Sequence, residues 1–297
     1  MIEPGARTIV NTKPAANSHV SSIFSPKRLS IIIPVYNEEN TILEVLRRVR
    51  AVELPLEKEI IVIDDGSTDR TRQLLLDAYH GGGFRLHLSP KNQGKGASIR
   101  TGFDLATGDI LMVQDADLEL DPRDYPALLA PILAGQAKVV YGSRFAGRPA
   151  TWNISYIGNR VMTWLSNVLY RGGITDLHTC YKVFRREVIR TIPLTCTRFE
   201  FEPEVTAKIL RLKYQITEVP ISYFPRSVAN GKKVRVKDGI ECVCHLLKWR
   251  FAGFEQVTTQ PAIETAIEFV PGASDAGLVS TVSRQGRAFG PATAGRA

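Results

Sequence analysis

The chain has 297 residues, 44% of them hydrophobic, and it carries a formal net charge of +8. This size allows one large or two smaller globular domains with a substantial core. The positive charge favours anionic partners such as phosphates or a phospholipid surface. Because the basic residues are spread along the chain and are not interleaved with aromatic residues, we expect no nucleic-acid partner.

The sequence shows no sign of a secreted or membrane-spanning protein. No apolar run approaches the ~18 residues that a bilayer-spanning helix needs, and no secretory signal is evident. The four cysteines, Cys180, Cys196, Cys242 and Cys244, form no CxxC pair, so the zinc signal is weak. We therefore expect reduced, structural thiols and a cytoplasmic protein.

The two ends of the chain differ in composition from its centre. Residues 1–27 are rich in Pro, Asn, Ser, Ala and Thr without periodicity, which predicts a flexible arm. Residues 255–297 turn to Ala, Gly, Thr, Ser and Pro, which predicts a mostly disordered tail. Residues 28–254, which lie between them, are expected to form a single domain.

In the first half, apolar strand-like runs alternate with helical patterns. Strands are expected at residues 29–35, 59–63, 84–88 and 110–114, and helices at 42–51, 68–79 and 93–106. Thr41 and Glu44 have the spacing of a capping box at the start of the first helix. The series predicts an α/β fold with a mostly parallel sheet that is covered by helices.

The second half is less regular. Short strands are expected at residues 139–141, 179–184 and 220–223, and helices at 155–170, 202–212 and 236–251. The helices at 155–170 and 236–251 carry apolar stripes edged by Trp164, Arg160, Trp249 and Lys248. These stripes suit either a membrane interface or packing against the sheet, and the sequence leaves both open.

Two acidic clusters each follow an apolar strand. Asp64-Asp65-Gly66-Ser67 ends the second strand, and Asp115-Ala116-Asp117 ends the fourth. Because ligands of open α/β sheets bind beyond the carboxyl ends of the strands, these carboxylates are placed to bind ribose hydroxyls or a cation. Hard oxygen ligands suit Mg²⁺ or Mn²⁺ that is bound partly by substrate phosphates. A helix cap with a turn, or a plain acidic loop, would also explain either cluster by itself.

Several motifs follow one another along the chain. They are Pro34-Val35-Tyr36-Asn37-Glu38-Glu39, Asp64-Asp65-Gly66-Ser67, Asn92-Gln93-Gly94-Lys95-Gly96, Thr107-Gly108-Asp109 and Asp115-Ala116-Asp117. This set resembles the family 2 inverting glycosyltransferases of the GT-A fold. The segments 176–182, 198–204 and 218–221 are similar to the branch of dolichyl- or polyprenyl-phosphate sugar synthases, and the resemblance covers about residues 29–251.

The resemblance implies a role for each matching residue. A nucleotide pocket would be formed by Pro34, Tyr36, Glu38, Asp64, Asp65, Lys95, Asp115 and Ala116. The metal, Mg²⁺ or Mn²⁺, would be held by Asp115 and Asp117. The phosphates of donor or acceptor would be met by Arg144, Arg226, Lys232 and Lys233. Catalysis would rest on Asp117, Arg144 and Glu202.

The expected reaction is therefore transfer of a hexose from UDP-glucose or GDP-mannose to a polyprenyl phosphate at the cytoplasmic membrane face. A phosphate monoester has a second pKa near ~6 and is nucleophilic at pH 7 without a strong general base. A hydroxyl acceptor would need a base, for which Glu202 and Asp176 are the candidates. The alternatives are a soluble glycosyltransferase that acts on a glycan or small-molecule hydroxyl, and a non-catalytic nucleotide-sugar-binding protein.

Overall fold

The computed structural model describes residues 25–80, 82–146, 154–226 and 236–256. Most of the expected arm and tail, together with Lys232 and Lys233, lies outside these residues. Of the helices within the described ranges, none combines the length and the apolarity that crossing a bilayer requires.

The first half is a regular alternation of strands and helices. Its elements are β1 (Arg28–Val35), α1 (Ile42–Ala51), β2 (Glu57–Asp64), α2 (Thr71–Tyr79), β3 (Arg85–Leu88), α3 (Lys95–Leu105) and β4 (Ile110–Val113). β1 pairs in parallel with both β2 and β4, and β2 pairs in parallel with β3. The predicted series of four parallel strands is confirmed.

The second half completes a seven-stranded sheet in the order β3-β2-β1-β4-β6-β5-β7. Its elements are α4 (Tyr125–Leu133), β5 (Val139–Ser143), α5 (Ile154–Tyr170), β6 (Lys182–Arg185), α6 (Arg186–Arg190), α7 (Phe201–Arg211), β7 (Thr217–Pro220) and α8 (Val236–Phe251). β6 runs antiparallel to both β4 and β5, whereas β5 and β7 are parallel. The predicted fold class, a mostly parallel sheet flanked by helices, is confirmed.

The core explains why the central strands read as continuous apolar runs. Ile31, Ile32 and Ile33 are all fully buried in β1, so both faces of the strand are covered. Strands of parallel sheets are buried in this way because helices pack on both sides of the sheet. The uninterrupted apolar sequence therefore places β1 in the interior. The polar residues that follow β1 in the chain then lie at the edge of the sheet.

A second apolar cluster joins α5, α7 and α8 beside the sheet. Tyr170 of α5, Ala207 of α7 and Trp249 of α8 are buried in it. The hydroxyl of Tyr170 donates a hydrogen bond to the carbonyl oxygen of Leu246. These three helices therefore form one layer beside the sheet. Side chains of α5 contact the site that is described below.

One local expectation is wrong, and one helix was missed. The hydroxyl of Thr41 does not cap α1; it lies 2.7 Å from the carbonyl oxygen of Ala116, and Glu44 pairs with Arg47 and Arg48 instead of reaching back. The helix α4 was not expected. Its sequence contains two prolines, but one lies in the first turn, where no amide donor is needed.

Candidate active site

The residues that follow β1 and β4 meet at one edge of the sheet. The hydroxyl of Thr41 lies 2.9 Å from Oε2 of Glu38 and 2.7 Å from the carbonyl oxygen of Ala116, so it joins the two strand tips. Pro34 and Ala116 are buried, whereas Tyr36 and Glu38 are partly exposed. The predicted convergence of these strand tips is therefore present in the fold.

Asp64 and Asp65, at the tip of β2, are both engaged by the protein. The fully buried Asp64 accepts hydrogen bonds from Nε of Arg72 at 2.7 Å and from the amide of Ser67 at 3.2 Å. Asp65 accepts the amides of Gln93 and Gly94, both at 2.8 Å. Burial raises the pKa of Asp65 in spite of these hydrogen bonds. Asp64 thus holds the segment between β2 and α2, whereas Asp65 holds the loop that leads into α3.

A partly buried cation links the fourth strand tip to α7. Nζ of Lys95 lies 2.9 Å from Asp115 and 3.2 Å from Glu202. Burial alone would lower the pKa of Lys95, but the two carboxylates raise it well above its usual value. Burial would also raise the pKa of Asp115, but Lys95 and the thiol of Cys180 lower it. Asp115 is therefore ionised and Lys95 is protonated.

Two backbone amides at the start of α3 are hydrogen-bonded to other parts of the protein. The amides of Gly96 and Ala97 donate to the carbonyl oxygens of Arg198 and Thr197, at 3.0 and 2.9 Å. Gly94 has a φ of 98°, and a Cβ added there would lie 2.4 Å from the carbonyl oxygen of Thr197. In this arrangement Lys95 reaches the site through its ammonium group, while these two helix amides are occupied.

Arg226 balances the acidic loop after β4. Its Nε donates to the carbonyl oxygen of Asp117 at 2.8 Å, and its Nη2 lies 2.9 Å from Glu38 and 3.5 Å from Oδ2 of Asp117. Its backbone amide donates to Glu119 at 2.8 Å. Asp115 is thus paired with Lys95, and Asp117 is paired with Arg226.

Arg144, which follows β5, is held by Asp176. Its Nε and Nη2 donate to the two oxygens of Asp176 at 2.7 and 2.8 Å, and its guanidinium lies 5.1 Å from the ring centre of Tyr223. Burial would raise the pKa of Asp176, but the guanidinium outweighs burial and lowers it. A carboxylate that is fully buried and paired in this way is not a general base.

Two further ionisable groups follow Asp176: His178 lies on the loop before β6, and Lys182 is the first residue of β6. Burial lowers the pKa of His178 to about 4, so its imidazole is neutral at pH 7. Lys182 is fully buried, and its Nζ donates to the carbonyl oxygens of Leu177 and Thr179. Lys182 therefore shapes the loop that carries Asp176 and Cys180.

The two apolar stripes foreseen on the flanking helices are largely exposed. On α5, Ile157, Val161, Trp164 and Val168 expose between 45% and 64% of their surface. On α8, Ile240, Leu247 and Phe251 expose between 42% and 80%. Packing against the sheet is therefore the wrong interpretation for these residues, whereas Leu165 and Leu169 pack into the cluster of α5, α7 and α8.

The sequence matches a known family over more than half of its length. The sequence profile of "Glycosyl transferase family 2" matches residues 30–192, which include both acidic motifs, Lys95, Arg144 and Asp176. The chain belongs to this family. The low-salt glycan biosynthesis hexosyltransferase Agl6 of Haloferax volcanii is 30% identical over 204 residues, which are 67% of this chain and 48% of that protein. The chain thus spans about half the length of this relative.

Solved structures show the same fold. Glucosyl-3-phosphoglycerate synthase from Mycobacterium tuberculosis, in complex with Mn²⁺, uridine diphosphate and phosphoglyceric acid, superposes with a TM-score of 0.61 at 21% identity. The match covers 77% of this chain and 80% of that chain. The complex of that enzyme with Mg²⁺ and uridine diphosphate has a TM-score of 0.59 at 22% identity, covering 75% of this chain and 79% of that one.

The carboxylates of this glycosyltransferase family 2 domain fit one kind of metal site. Asp115 and Asp117 keep 25% and 26% of their side chains exposed, so both can reach a ligand. In the described ranges, no group of three or more His, Cys, Asp and Glu side chains could cage a metal. Two partly exposed carboxylates suit Mg²⁺ or Mn²⁺, which keep several non-protein ligands.

Several residues that build the site were not foreseen. Arg72, Thr41 and Asn159 orient Asp64, Glu38 and Asp176 through side-chain contacts. One signal was present in the sequence. Asn159, Thr163 and Asn167 recur every four residues on a helix whose other residues are mostly apolar, which places a polar row on one face of α5.

Proposed function

We propose that this family 2 domain is an inverting glycosyltransferase that transfers a hexose from a UDP- or GDP-sugar to a polyprenyl phosphate. The proposal rests on two cations that lie between carboxylates at the sheet edge. Lys95 lies between Asp115 and Glu202. Arg226 lies between Asp117, after β4, and Glu38, after β1. A cluster in which carboxylates and cations alternate is suited to a diphosphate that brings its own divalent ion.

We assign the nucleotide to the sheet edge at the tips of β1 and β2. Tyr36 and Glu38 remain partly exposed at the tip of β1 and are the candidates for contact with base and ribose. Pro34, Asp64 and Asp65 form the wall, because Pro34 is buried and both aspartates are engaged by neighbouring donors. Residues 28–254 are proposed as the catalytic unit.

Asp115 and Asp117 would hold Mg²⁺ or Mn²⁺ on the donor diphosphate. When bound, the ion supplies Lewis-acid stabilisation of the charge that develops on the leaving group. Lys95 and Arg226 are positioned to neutralise the same charge, with Ala116 between the two carboxylates. Preorganised donors of this kind contribute about 3–4 kcal/mol each to transition-state stabilisation.

The pairing of the two candidate bases favours a phosphate acceptor. Asp176 is fully engaged by Arg144, and Glu202 lies 3.2 Å from the ammonium of Lys95. Both candidate bases are thus already paired with a cation. A phosphate oxygen needs no such base; it would attack the anomeric carbon as the bond to the nucleoside diphosphate breaks, and Arg144 would orient that phosphate.

The exposed stripes support peripheral contact with the cytoplasmic face of a membrane. Their apolar side chains are accompanied by Arg160 and Arg171 at α5 and by Lys248 and Arg250 on α8. Apolar faces with basic neighbours bind anionic bilayers. Sedimentation with vesicles rich in phosphatidylglycerol should carry the protein down, and Trp164→Ser together with Phe251→Ser should release it. Equal sedimentation of the double variant would contradict this surface.

Transfer itself is tested with radiolabelled UDP-glucose and GDP-mannose, Mn²⁺ and a polyprenyl phosphate in detergent. The proposal expects label in a butanol-extractable product, and Arg144→Ala should abolish it. Label in a water-soluble product with a glycan or a phosphorylated small molecule would support the soluble alternative. Nucleotide-sugar binding without turnover on any acceptor would support a non-catalytic binding protein.

A further inference from the structure

The helix α5 has two faces with different chemistry. Its apolar stripe is exposed, whereas Asn159, Thr163 and Asn167 point towards the loop of residues 174–177. These side chains are four residues apart and therefore lie in one row along the helix. The row contacts the loop that carries Asp176, the partner of Arg144.

The contacts of Asn159 use both ends of its amide group. Its Nδ2 donates to Oδ1 of Asp176 at 2.9 Å, and its Oδ1 accepts the hydroxyl of Thr163 at 3.0 Å. The hydroxyl oxygen of Thr163 in turn accepts the amide of Leu177 at 3.0 Å. The amide of Asn159 is thereby fixed in one orientation, with its NH₂ group towards the carboxylate.

Asp176 is the point at which α5 reaches Arg144. Its Oδ1 is shared between Nη2 of Arg144 at 2.8 Å and Nδ2 of Asn159 at 2.9 Å. Its Oδ2 accepts Nε and the backbone amide of Arg144 at 2.7 and 3.1 Å. The rotation of this carboxylate sets the plane of the guanidinium. Among the described residues, Asn159 is the side chain besides Arg144 that donates a hydrogen bond to Asp176.

We propose that Asn159 is a positioning residue for Arg144 and acts through Asp176. The inference rests on the proposed function, in which Arg144 orients the acceptor phosphate. Bidentate recognition of a phosphate depends on the plane of the guanidinium. A misplacement of about 1 Å in a positioning group can lower the rate by about 10²-fold.

The helix offers a matched control in Asn167. This residue has the same side chain and lies two turns along the same row, and it contacts the amide and carbonyl of Ile174 at 3.2 and 2.8 Å. No hydrogen bond joins it to Asp176 among the described residues. Replacing it by alanine removes comparable hydrogen bonds and leaves the pair of Arg144 and Asp176 in place.

The test compares Asn159→Ala with Asn167→Ala in the full chain. We expect both to lower the melting temperature by similar amounts. Asn159→Ala alone should lower kcat/KM for the phosphate acceptor by about 10-fold or more and weaken calorimetric binding of a short-chain isoprenyl phosphate. Binding of uridine diphosphate with Mn²⁺ should stay unchanged. Equal effects of the two variants on the acceptor would overturn the proposal.

A second variant keeps the test decisive if Asn159→Ala does not fold. Asn159→Asp places a carboxyl beside Asp176, and only its protonated form can donate as the amide does. Its activity relative to the unmodified enzyme should therefore rise as the pH falls from about 7.5 to about 5.5. A constant ratio would contradict the positioning role. If Arg144→Ala retains full transfer, the proposed function fails instead, whatever the Asn159 variants do.

Discussion

Replacing the buried Lys182 by methionine should change the pH dependence of stability. Lys182 is fully buried, its Nζ donates to the carbonyl oxygens of Leu177 and Thr179, and it lies 4.6 Å from the ring centre of Tyr141. Burial lowers the pKa of Lys182 to about 8. Methionine has a similar length and cannot titrate, so the variant isolates the effect of this ammonium group.

The magnitude follows from the two protonation equilibria. An unfolded lysine has a pKa of about 10.4, and each pKa unit corresponds to about 1.36 kcal/mol. With a folded pKa of about 8, the unfolded state binds more protons than the folded state between these two values. Stability therefore rises with pH in that window. The contribution of Lys182 should become more favourable by about 3 kcal/mol between neutral pH and pH ~10.5.

Urea unfolding of the protein and of Lys182→Met over this pH range measures the difference directly. Groups that are the same in both proteins cancel in the comparison. Lys138→Met is the control, because Lys138 is about half exposed and pairs with Glu187 on the surface. If the free energies of unfolding of the protein and of Lys182→Met differ by an amount that stays constant to within about 1 kcal/mol over this pH range, the lowered pKa of Lys182 in the folded state is refuted.

Three further outcomes are expected. Arg72→Met leaves the buried Asp64 with the amide of Ser67 as its remaining described donor, and urea unfolding should show a loss of about 3 kcal/mol; a loss below 1 kcal/mol would contradict the role of that pair. Gly94→Ala forces a Cβ to within 2.4 Å of a carbonyl oxygen at a φ of 98°, so its melting temperature should fall well below that of Gly82→Ala, where space is open. Asp117→Ala should abolish transfer and Mn²⁺-dependent binding of uridine diphosphate with the circular dichroism spectrum intact, since a quarter of this side chain is exposed; retained Mn²⁺-dependent binding would rule out its metal role.

The strands of the first half and their parallel direction could be predicted because the signals are local. The apolar run at β1 and the helical periodicity of α1 are each contained within a dozen residues, and their alternation favours parallel strands. Parallel strands place their carboxyl ends together, so the acidic motifs after β2 and β4 were expected at one edge of the sheet. The antiparallel direction of β6 was not predicted, because nothing local in its sequence sets the direction in which it joins the sheet.

The partners of the site residues depend on distant parts of the chain. Arg226 lies 188 positions from Glu38, and Asp176 lies 32 positions from Arg144. The capping box at Thr41 failed for the same reason, because its hydroxyl meets the carbonyl of Ala116, 75 positions away.

The fold class, the family and the positions of the acidic motifs could be read from the amino-acid sequence. These follow from short-range periodicity and from motifs that can be recognised without coordinates. Which carboxylates can reach a ligand was settled by the fold: Asp64, Asp65 and Asp176 are buried, whereas Asp115 and Asp117, although each is paired with a cation, keep about a quarter of their side chains exposed. The physical reason is that the availability of a charged group depends on what folding brings within a few ångströms of it, and sequence spacing does not record that distance.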